Sequence, residues 1–220
     1  MPLSPADVLF DLDGTLLDPF EGITRSYQHA LRGLGVAVPS QRDLACCIGP
    51  PLRGNFARLL LTDDAALIER AVALYRERFG DVGWSENVPY PGAIDMLRAL
   101  AARGARLHLA TAKPQVYTDR VVARFGLAPF LASVHGAALD ASRDDKAVIV
   151  RGLLASEDVD ASRAAMVGDR SQDVRAALEN GVFAIGALWG FGSREELSGA
   201  GAAVLCASPA NVVAALFGST

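Results

Sequence analysis

Lysine is scarce in this sequence. The chain of 220 residues carries 21 basic residues, and only Lys113 and Lys146 among them are lysine, so arginine supplies almost every generic positive charge. A lysine ammonium is a compact point charge, whereas an arginine guanidinium is a planar fork. Lys113 and Lys146 are therefore the exceptions to this use of arginine, and any role for them depends on the motifs around them.

Cysteine is rare as well. The three cysteines, Cys46, Cys47 and Cys206, are an odd number and do not have the spacing of a metal site. This excludes a disulfide scaffold and predicts reduced thiols, as in a cytoplasmic protein.

Long apolar runs and basic stripes are missing too. No apolar run reaches the roughly 20 residues that a membrane-spanning helix needs. Asp7, Asp11 and Asp13 interrupt any signal-peptide pattern near the start. The net charge of −4 and the pI near 5.4, with no basic stripe carrying aromatics, argue against a nucleic-acid partner. We therefore expect a cytoplasmic protein that binds neither nucleic acid nor membranes.

The sequence does contain a regular alternation of strand and helix patterns. Hydrophobic residues make up 51% of the chain, which is enough for a substantial core. Helical patterns such as 91–103 and 115–125 separate short apolar runs. The predicted strands are Val8–Asp11, Arg106–Ala110, Phe130–His135, Ala164–Val167, Val182–Leu188 and Ala203–Cys206. This alternation predicts an α/β fold in which helices cover both faces of a parallel sheet.

The segment from 19 to 86 follows a different pattern. It has no clear strand, and its apolar residues recur at helical spacing, for example at Ile23, Tyr27 and Leu31. Four helices packed as a small bundle are the predicted structure. The sequence thus predicts two domains, an α/β core from 1–18 and 87–220 and an inserted helical domain from 19–86.

Two carboxylates follow the first predicted strand. Residues 11–18 read DLDGTLLD, which places Asp11 and Asp13 at the carboxyl end of a strand, where open α/β sheets bind ligands. A turn at Gly14 lets both side chains face one pocket, because glycine accepts backbone angles that other residues avoid. One carboxylate can then attack an electrophile while the other moves a proton.

Polar residues also lie at the ends of three later predicted elements. Thr111 ends the second strand, and its hydroxyl can donate to a phosphate oxygen, with Pro114 suited to the first turn of the next helix. The alternative for Thr111 is a simple helix cap. Lys146 begins another helical pattern, and a solvated residue of that first turn is the alternative. Asp169 and Asp173 follow the strand at 164–167, and such carboxylates beside Asp11 suit Mg²⁺.

Together these motifs resemble those of the haloacid dehalogenase-like hydrolases, and the layout is similar to the phosphoglycolate phosphatase-like branch with a helical cap. The resemblance implies a Rossmann-like core, with Asp11 as nucleophile and Asp13 as general acid/base. It implies that Thr111, Lys113 and Lys146 bind the phosphate and that Lys146 also neutralises the nucleophile.

The same resemblance implies a Mg²⁺ cofactor. Asp11, the backbone carbonyl of Asp13 and Asp169 would bind it directly. Asp173 would act from a second layer of the metal site or against Lys146. The loop at 186–193 is similar to one that borders the pocket in this branch; packing of Trp189 at the strand end is the alternative.

The implied reaction is Mg²⁺-dependent hydrolysis of a small phosphate ester, such as phosphoglycolate, through an aspartyl-phosphate. A nucleoside 5′-monophosphate phosphatase, a β-phosphoglucomutase-like phosphomutase and an inactive binding module are the alternatives. A carbon–phosphorus hydrolase that needs a cap lysine is excluded, because the cap region has none. Arg53, in the turn-rich loop predicted at 46–54, is a candidate for binding a second anionic group of the substrate, or else a solvated residue of a structural turn between helices. The sequence leaves open whether the protein is a monomer or a homodimer.

Overall fold

The computed structural model describes residues 4–139 and 145–218. The chain divides into two compact units, one of residues 1–18 with 89–220 and the other of residues 19–88. The sequence places the second boundary two residues earlier, after residue 86. The assignment of the two units to a catalytic core and a cap stays a prediction.

The first unit alternates strands and helices. Its strands are β1 (Asp7–Phe10), β2 (Leu17–Asp18), β4 (Arg106–Pro114), β5 (Ser133–Ala137), β6 (Ala164–Gly168), β7 (Phe183–Ala187) and β8 (Val204–Cys206), and a short β3 (Val88–Pro89) begins at its border. Its helices are α5 (Ala93–Ala101), α6 (Gln115–Arg124), α7 (Lys146–Ser156), α8 (Ser171–Glu179), α9 (Arg194–Gly199) and α10 (Pro209–Phe217).

One parallel sheet forms the centre of this unit. In the described residues its order is β5-β4-β1-β6-β7-β8, with every recorded pairing parallel. The predicted α/β class is confirmed. β1 lies between β4 and β6, so the segments after these three strands meet at one edge of the sheet. Side chains from both strands and helices, such as Leu9, Met166, Val150 and Val174, pack together in a buried cluster.

Several predicted boundaries are wrong. The strand predicted to end at Ala110 runs on to Pro114. The predicted strand from Phe130 begins only at Ser133, because Ala128–Phe130 form a 3₁₀ turn with Pro129 near its start. Proline has no N–H for a strand ladder and a fixed φ. Pro114 does not enter the first turn of α6; it is the extended residue before it, with ψ 136°.

The second unit is helical. Its helices are α1 (Phe20–Gly33), α2 (Gln41–Leu44), α3 (Leu52–Leu60) and α4 (Ala65–Asp81). The Tyr27 ring packs against Phe56 at 5.1 Å and Tyr75 at 5.0 Å between ring centroids. Asp64 begins α4 by accepting hydrogen bonds from the N–H groups of Ala66 and Leu67. Aromatic side chains from three of these helices thus pack together in the interior of this unit.

Among the described residues, no helix combines the length and the apolar character needed to cross a membrane.

Candidate active site

Asp11 stands at the carboxyl end of β1. The strand before it is fully buried, and the Asp11 N–H donates to the carbonyl of Val167 at 3.0 Å, which ties the residue to the neighbouring strand β6. The chain then turns at Gly14, whose φ is +91°, in the left-handed region that favours glycine. A strand end followed by this turn fixes the Asp11 carboxylate in a buried position.

Lys146 is the first residue of α7 and is buried. Asp145 caps the helix by accepting from the Ala147 N–H at 2.8 Å. The Lys146 Nζ lies 2.5 Å from Asp11 Oδ1 and 2.9 Å from Asp173 Oδ1. A cation at a helix N-terminus is unfavourable for the helix dipole, so these two carboxylates, and not the helix, stabilise the ammonium at this place.

Asp169 and Asp173 follow β6. The Asp173 carboxylate accepts from the Arg170 N–H at 3.0 Å, at the N-terminus of α8, where a negative charge is favourable. Asp11, Asp169 and Asp173 are all buried, and each offers an oxygen within 4.8 Å of those of the other two. Three predicted site residues from two neighbouring strand ends thus lie in one cluster.

The loop after β7 completes the surroundings of Asp169. The Phe191 N–H donates to Asp169 Oδ2 at 2.8 Å, and the Trp189 indole N–H donates to the carbonyl of Thr15 at 2.9 Å. A Cβ at Gly190 would lie 2.4 Å from the Asp169 Cβ, so only glycine fits the approach. The sequence predicts that this loop borders the pocket, but it does not predict the hydrogen bonds to Asp169 and Thr15.

Asp13 forms an ion pair with Lys113. The Lys113 Nζ lies 2.7 Å from Asp13 Oδ1 and 2.5 Å from Oδ2, and both residues are within the first unit. Thr111 is buried near the end of β4, and its hydroxyl oxygen accepts from the Lys113 N–H at 3.3 Å. Lys113 therefore pairs directly with Asp13, and Thr111 contacts the backbone of Lys113.

The charge balance of the site is negative. Four carboxylates, those of Asp11, Asp13, Asp169 and Asp173, meet two ammonium groups. Burial, followed by the nearby charges of Asp173 and Asp11, raises the pKa of Asp169 well above its ordinary value. Burial also raises the pKa of Asp173 to about 6, against the opposing effect of Lys146. These raised pKa values show that burial and the repulsion between carboxylates outweigh the nearby positive charges.

The pKa values of Lys146 and Asp13 are raised as well. Burial alone would lower the pKa of Lys146, but the charges of Asp11 and Asp173 outweigh it and raise that pKa. Burial raises the pKa of Asp13, although Lys113 opposes the shift. A divalent cation would supply the charge that the cluster lacks, and oxygen ligands from few side chains are what Mg²⁺ accepts in proteins. Asp11, Asp169 and Asp173 are the carboxylates that fit it.

Arg53 belongs to the helical unit. Its guanidinium pairs with Glu69 of α4 through both carboxylate oxygens, the Nη2–Oε2 distance being 3.1 Å. The predicted contact of Arg53 with substrate stays a prediction.

Comparison with known proteins agrees with the fold and the motifs. Residues 8–187 match the haloacid dehalogenase-like hydrolase family. A 5′-nucleotidase of Pseudomonas aeruginosa is 44% identical over 87% of this chain and 86% of its own. The tyrosine-protein kinase PtkA of Mycobacterium tuberculosis is 36% identical over 86% of this chain and 64% of its own. A phosphoglycolate phosphatase of Agrobacterium fabrum is 30% identical over 86% of this chain and 83% of its own.

A solved structure gives the same result. The crystal structure of "a predicted phosphatase from Clostridium acetobutylicum" superposes with a TM-score of 0.90 and 35% identity, over 95% of this chain and 96% of that one. The chain belongs to the haloacid dehalogenase-like hydrolase family, and the predicted resemblance is confirmed.

Proposed function

We propose that the chain is a Mg²⁺-dependent phosphomonoesterase that acts on small phosphate esters through an aspartyl-phosphate. The observation that carries this proposal is that Asp11 and Asp13 pair with separate buried lysines, Asp11 with Lys146 and Asp13 with Lys113. Asp169 and Asp173 lie beside Asp11. Relatives named as phosphatases support the reaction class.

Asp11 is the nucleophile in this scheme. Its carboxylate oxygen attacks phosphorus and forms the aspartyl-phosphate while the bond to the leaving oxygen breaks. Lys146 offsets repulsion between Asp11 and the anionic substrate, and the Thr111 hydroxyl donates to a phosphate oxygen. Mg²⁺ bound by Asp11, Asp169 and the Asp13 carbonyl, with Asp173 behind them, would polarise the phosphoryl group.

Asp13 moves the protons. It first gives a proton to the leaving alcohol, so that the product departs neutral. It then takes a proton from the water that attacks phosphorus and cleaves the aspartyl-phosphate, which releases inorganic phosphate and restores Asp11. Because one residue serves both steps, its loss removes an acid and a base together.

Release of inorganic phosphate from purified protein tests the reaction. We expect activity on at least one small ester in Mg²⁺, none in excess chelator, and recovery when Mg²⁺ is restored. Asp11→Asn should abolish turnover without unfolding the chain. Asp95→Asn is the matched control, because Asp95 is exposed and pairs only locally with Arg98. Undiminished turnover in Asp11→Asn would refute the scheme.

A magnesium titration tests the metal ligands. Asp169→Ala should raise the Mg²⁺ concentration for half-maximal activity by at least about tenfold, and more than Asp173→Ala does. The reason is that the Lys146 ammonium already neutralises Asp173, whereas the hydrogen-bond donors to Asp169, the Thr15 hydroxyl and the Phe191 N–H, are neutral. The reverse order would assign direct metal binding to Asp173.

The substrate proposed first is phosphoglycolate or another small carboxylated ester. A nucleoside 5′-monophosphate is the second candidate, and the 44% identical 5′-nucleotidase is the observation that favours it. A panel of 2-phosphoglycolate, nucleoside monophosphates, sugar phosphates and an aryl phosphate, compared by kcat/KM, separates them. Conversion of one sugar phosphate into its isomer without phosphate release would instead identify a mutase.

A further inference from the structure

Lys113 contacts the Asp13 carboxylate through both of its oxygens, at 2.7 and 2.5 Å. The Lys113 side chain is only 3% exposed, against 15% for that of Asp13. A single ammonium that contacts both oxygens restricts rotation of the carboxylate, since any rotation of that group lengthens at least one contact. The arrangement therefore determines which way Asp13 points.

The backbone of Lys113 is itself held from both sides. Its N–H donates to the Thr111 hydroxyl oxygen at 3.3 Å, and its carbonyl accepts from the Thr118 hydroxyl of α6 at 3.2 Å. The pairing of β4 with β5 is irregular between Ala110 and Pro114, the stretch that carries Lys113. These contacts fix the point from which the ammonium reaches Asp13.

We propose that Lys113 is a positioning residue that orients the Asp13 carboxylate for proton transfer, instead of acting mainly as a ligand of the substrate phosphate. The inference rests on the proposed function, which gives Asp13 the proton transfers. Under this proposal the two lysines have different roles: Lys146 neutralises the nucleophile Asp11, and Lys113 orients the acid/base Asp13.

The dependence of activity on the leaving group distinguishes the two roles. A poor alkoxide leaving group needs the proton from Asp13, whereas 4-nitrophenolate departs with little help. If Lys113 acts through Asp13, Lys113→Met should lower kcat/KM for an alkyl phosphate at least about tenfold more than for 4-nitrophenyl phosphate. Loss of a phosphate ligand would lower both values by the same factor.

Two further variants provide a rescue and a control for this comparison. Lys113→Arg keeps a cation that can pair with a carboxylate, so it should recover part of the alkyl phosphate activity. Arg98→Met removes a cation from an exposed ion pair in the same unit and should change neither rate. An equal loss on both substrates in Lys113→Met, or no loss, would overturn the proposal.

A crystal structure of the parent chain with vanadate provides a test that does not depend on folding of a variant. We expect the Lys113 Nζ to remain within hydrogen-bond distance of both Asp13 oxygens. An ammonium that moves from Asp13 to the vanadate would overturn the positioning role. Absence of phosphatase activity in the parent chain would instead overturn the proposed function, so the two failures are distinguishable.

Discussion

The position of Lys146 is costly for its helix and favourable for the site. As the first residue of α7 it places a positive charge against the positive end of the helix dipole. It is nevertheless buried, with Asp11 at 2.5 Å and Asp173 at 2.9 Å. A solvated helix charge would need neither burial nor two carboxylate partners, so we expect this residue to neutralise the cluster.

Lys146→Met tests that role. Turnover should fall by roughly 100-fold or more, because a fixed charge at the reacting centre is lost in a site shielded from water. Lys146→Arg should also be poor, since a planar guanidinium does not replace a compact ammonium between two carboxylates. Steady-state kcat is the measurement, with circular dichroism to establish folding. Arg151→Met, an exposed cation of the same helix, is the control. If Lys146→Met keeps the activity of the parent, Lys146 is only a charged residue of the helix and has no role in the site.

The elements around Asp169 are held together by close backbone approaches. The loop after β7 passes so near to the end of β6 that a Cβ at Gly190 would lie 2.3 Å from the Gly14 carbonyl oxygen as well as 2.4 Å from the Asp169 Cβ. Real side chains do not tolerate such distances. The loop after β1 and the loop after β7 therefore set the orientation of Asp169 together.

Gly190→Ala should disturb that orientation. We expect a higher Mg²⁺ concentration for half-maximal activity and at least about tenfold lower kcat/KM, because the loop must move and the Phe191 N–H then leaves Asp169. Gly152→Ala is the matched control, since nothing lies within 4 Å of a Cβ added at that helical position; it should leave activity unchanged and slightly stabilise the protein. Equal kinetics in the two variants would show that the loop adapts without affecting the site.

The sequence predicts elements better than it predicts contacts. Short continuous apolar runs identified the strands of the sheet, because a strand covered on both faces is buried at every position, as in β1 and β6. Helical periodicity identified the helices of residues 19–86. The sequence pattern misplaced the start of β5, where Pro129 begins a turn. The scarcity of lysine singled out Lys113 and Lys146, but no local pattern shows that Lys113 bonds Asp13, 100 residues away. Long-range partners depend on the packing of β4 beside β1.

At the scale of the whole molecule, the buried carboxylates link stability to pH and metal. Burial raises the pKa of Asp173 to about 6 from an ordinary 3.8. The folded chain then holds a proton that the unfolded chain has released, so this residue makes unfolding easier as pH rises from about 4 through about 6. Partners of Glu86 and Glu196 lower the pKa of those carboxyls and act in the opposite direction, so the comparison must be made between variants.

We therefore expect Asp173→Asn to gain several degrees in melting temperature, relative to the parent, between pH 4.5 and pH 7 in the absence of metal. Mg²⁺ at pH 7 should raise the melting temperature of the parent, because it binds the native state. Thermal unfolding followed by circular dichroism measures both effects. An unchanged difference between the two proteins across this pH range would contradict the assignment of the buried titration to Asp173.

We expect Arg53 to influence which phosphate ester the protein prefers. Arg53 is the proposed contact for a second anionic group, and its guanidinium now pairs with Glu69. Arg53→Ala should raise KM for 2-phosphoglycolate by about tenfold, the value of one charge-assisted hydrogen bond, and leave KM for an aryl phosphate nearly unchanged. Glu69→Gln should lower KM for 2-phosphoglycolate, because it releases Arg53 from its present partner. Arg70→Ala, an exposed cation on α4, is the charge-matched control. If both substrates respond equally to Arg53→Ala, or if nucleotides lead the panel by a wide margin, Arg53 does not recognise a carboxylate and the phosphatase assignment stands without it.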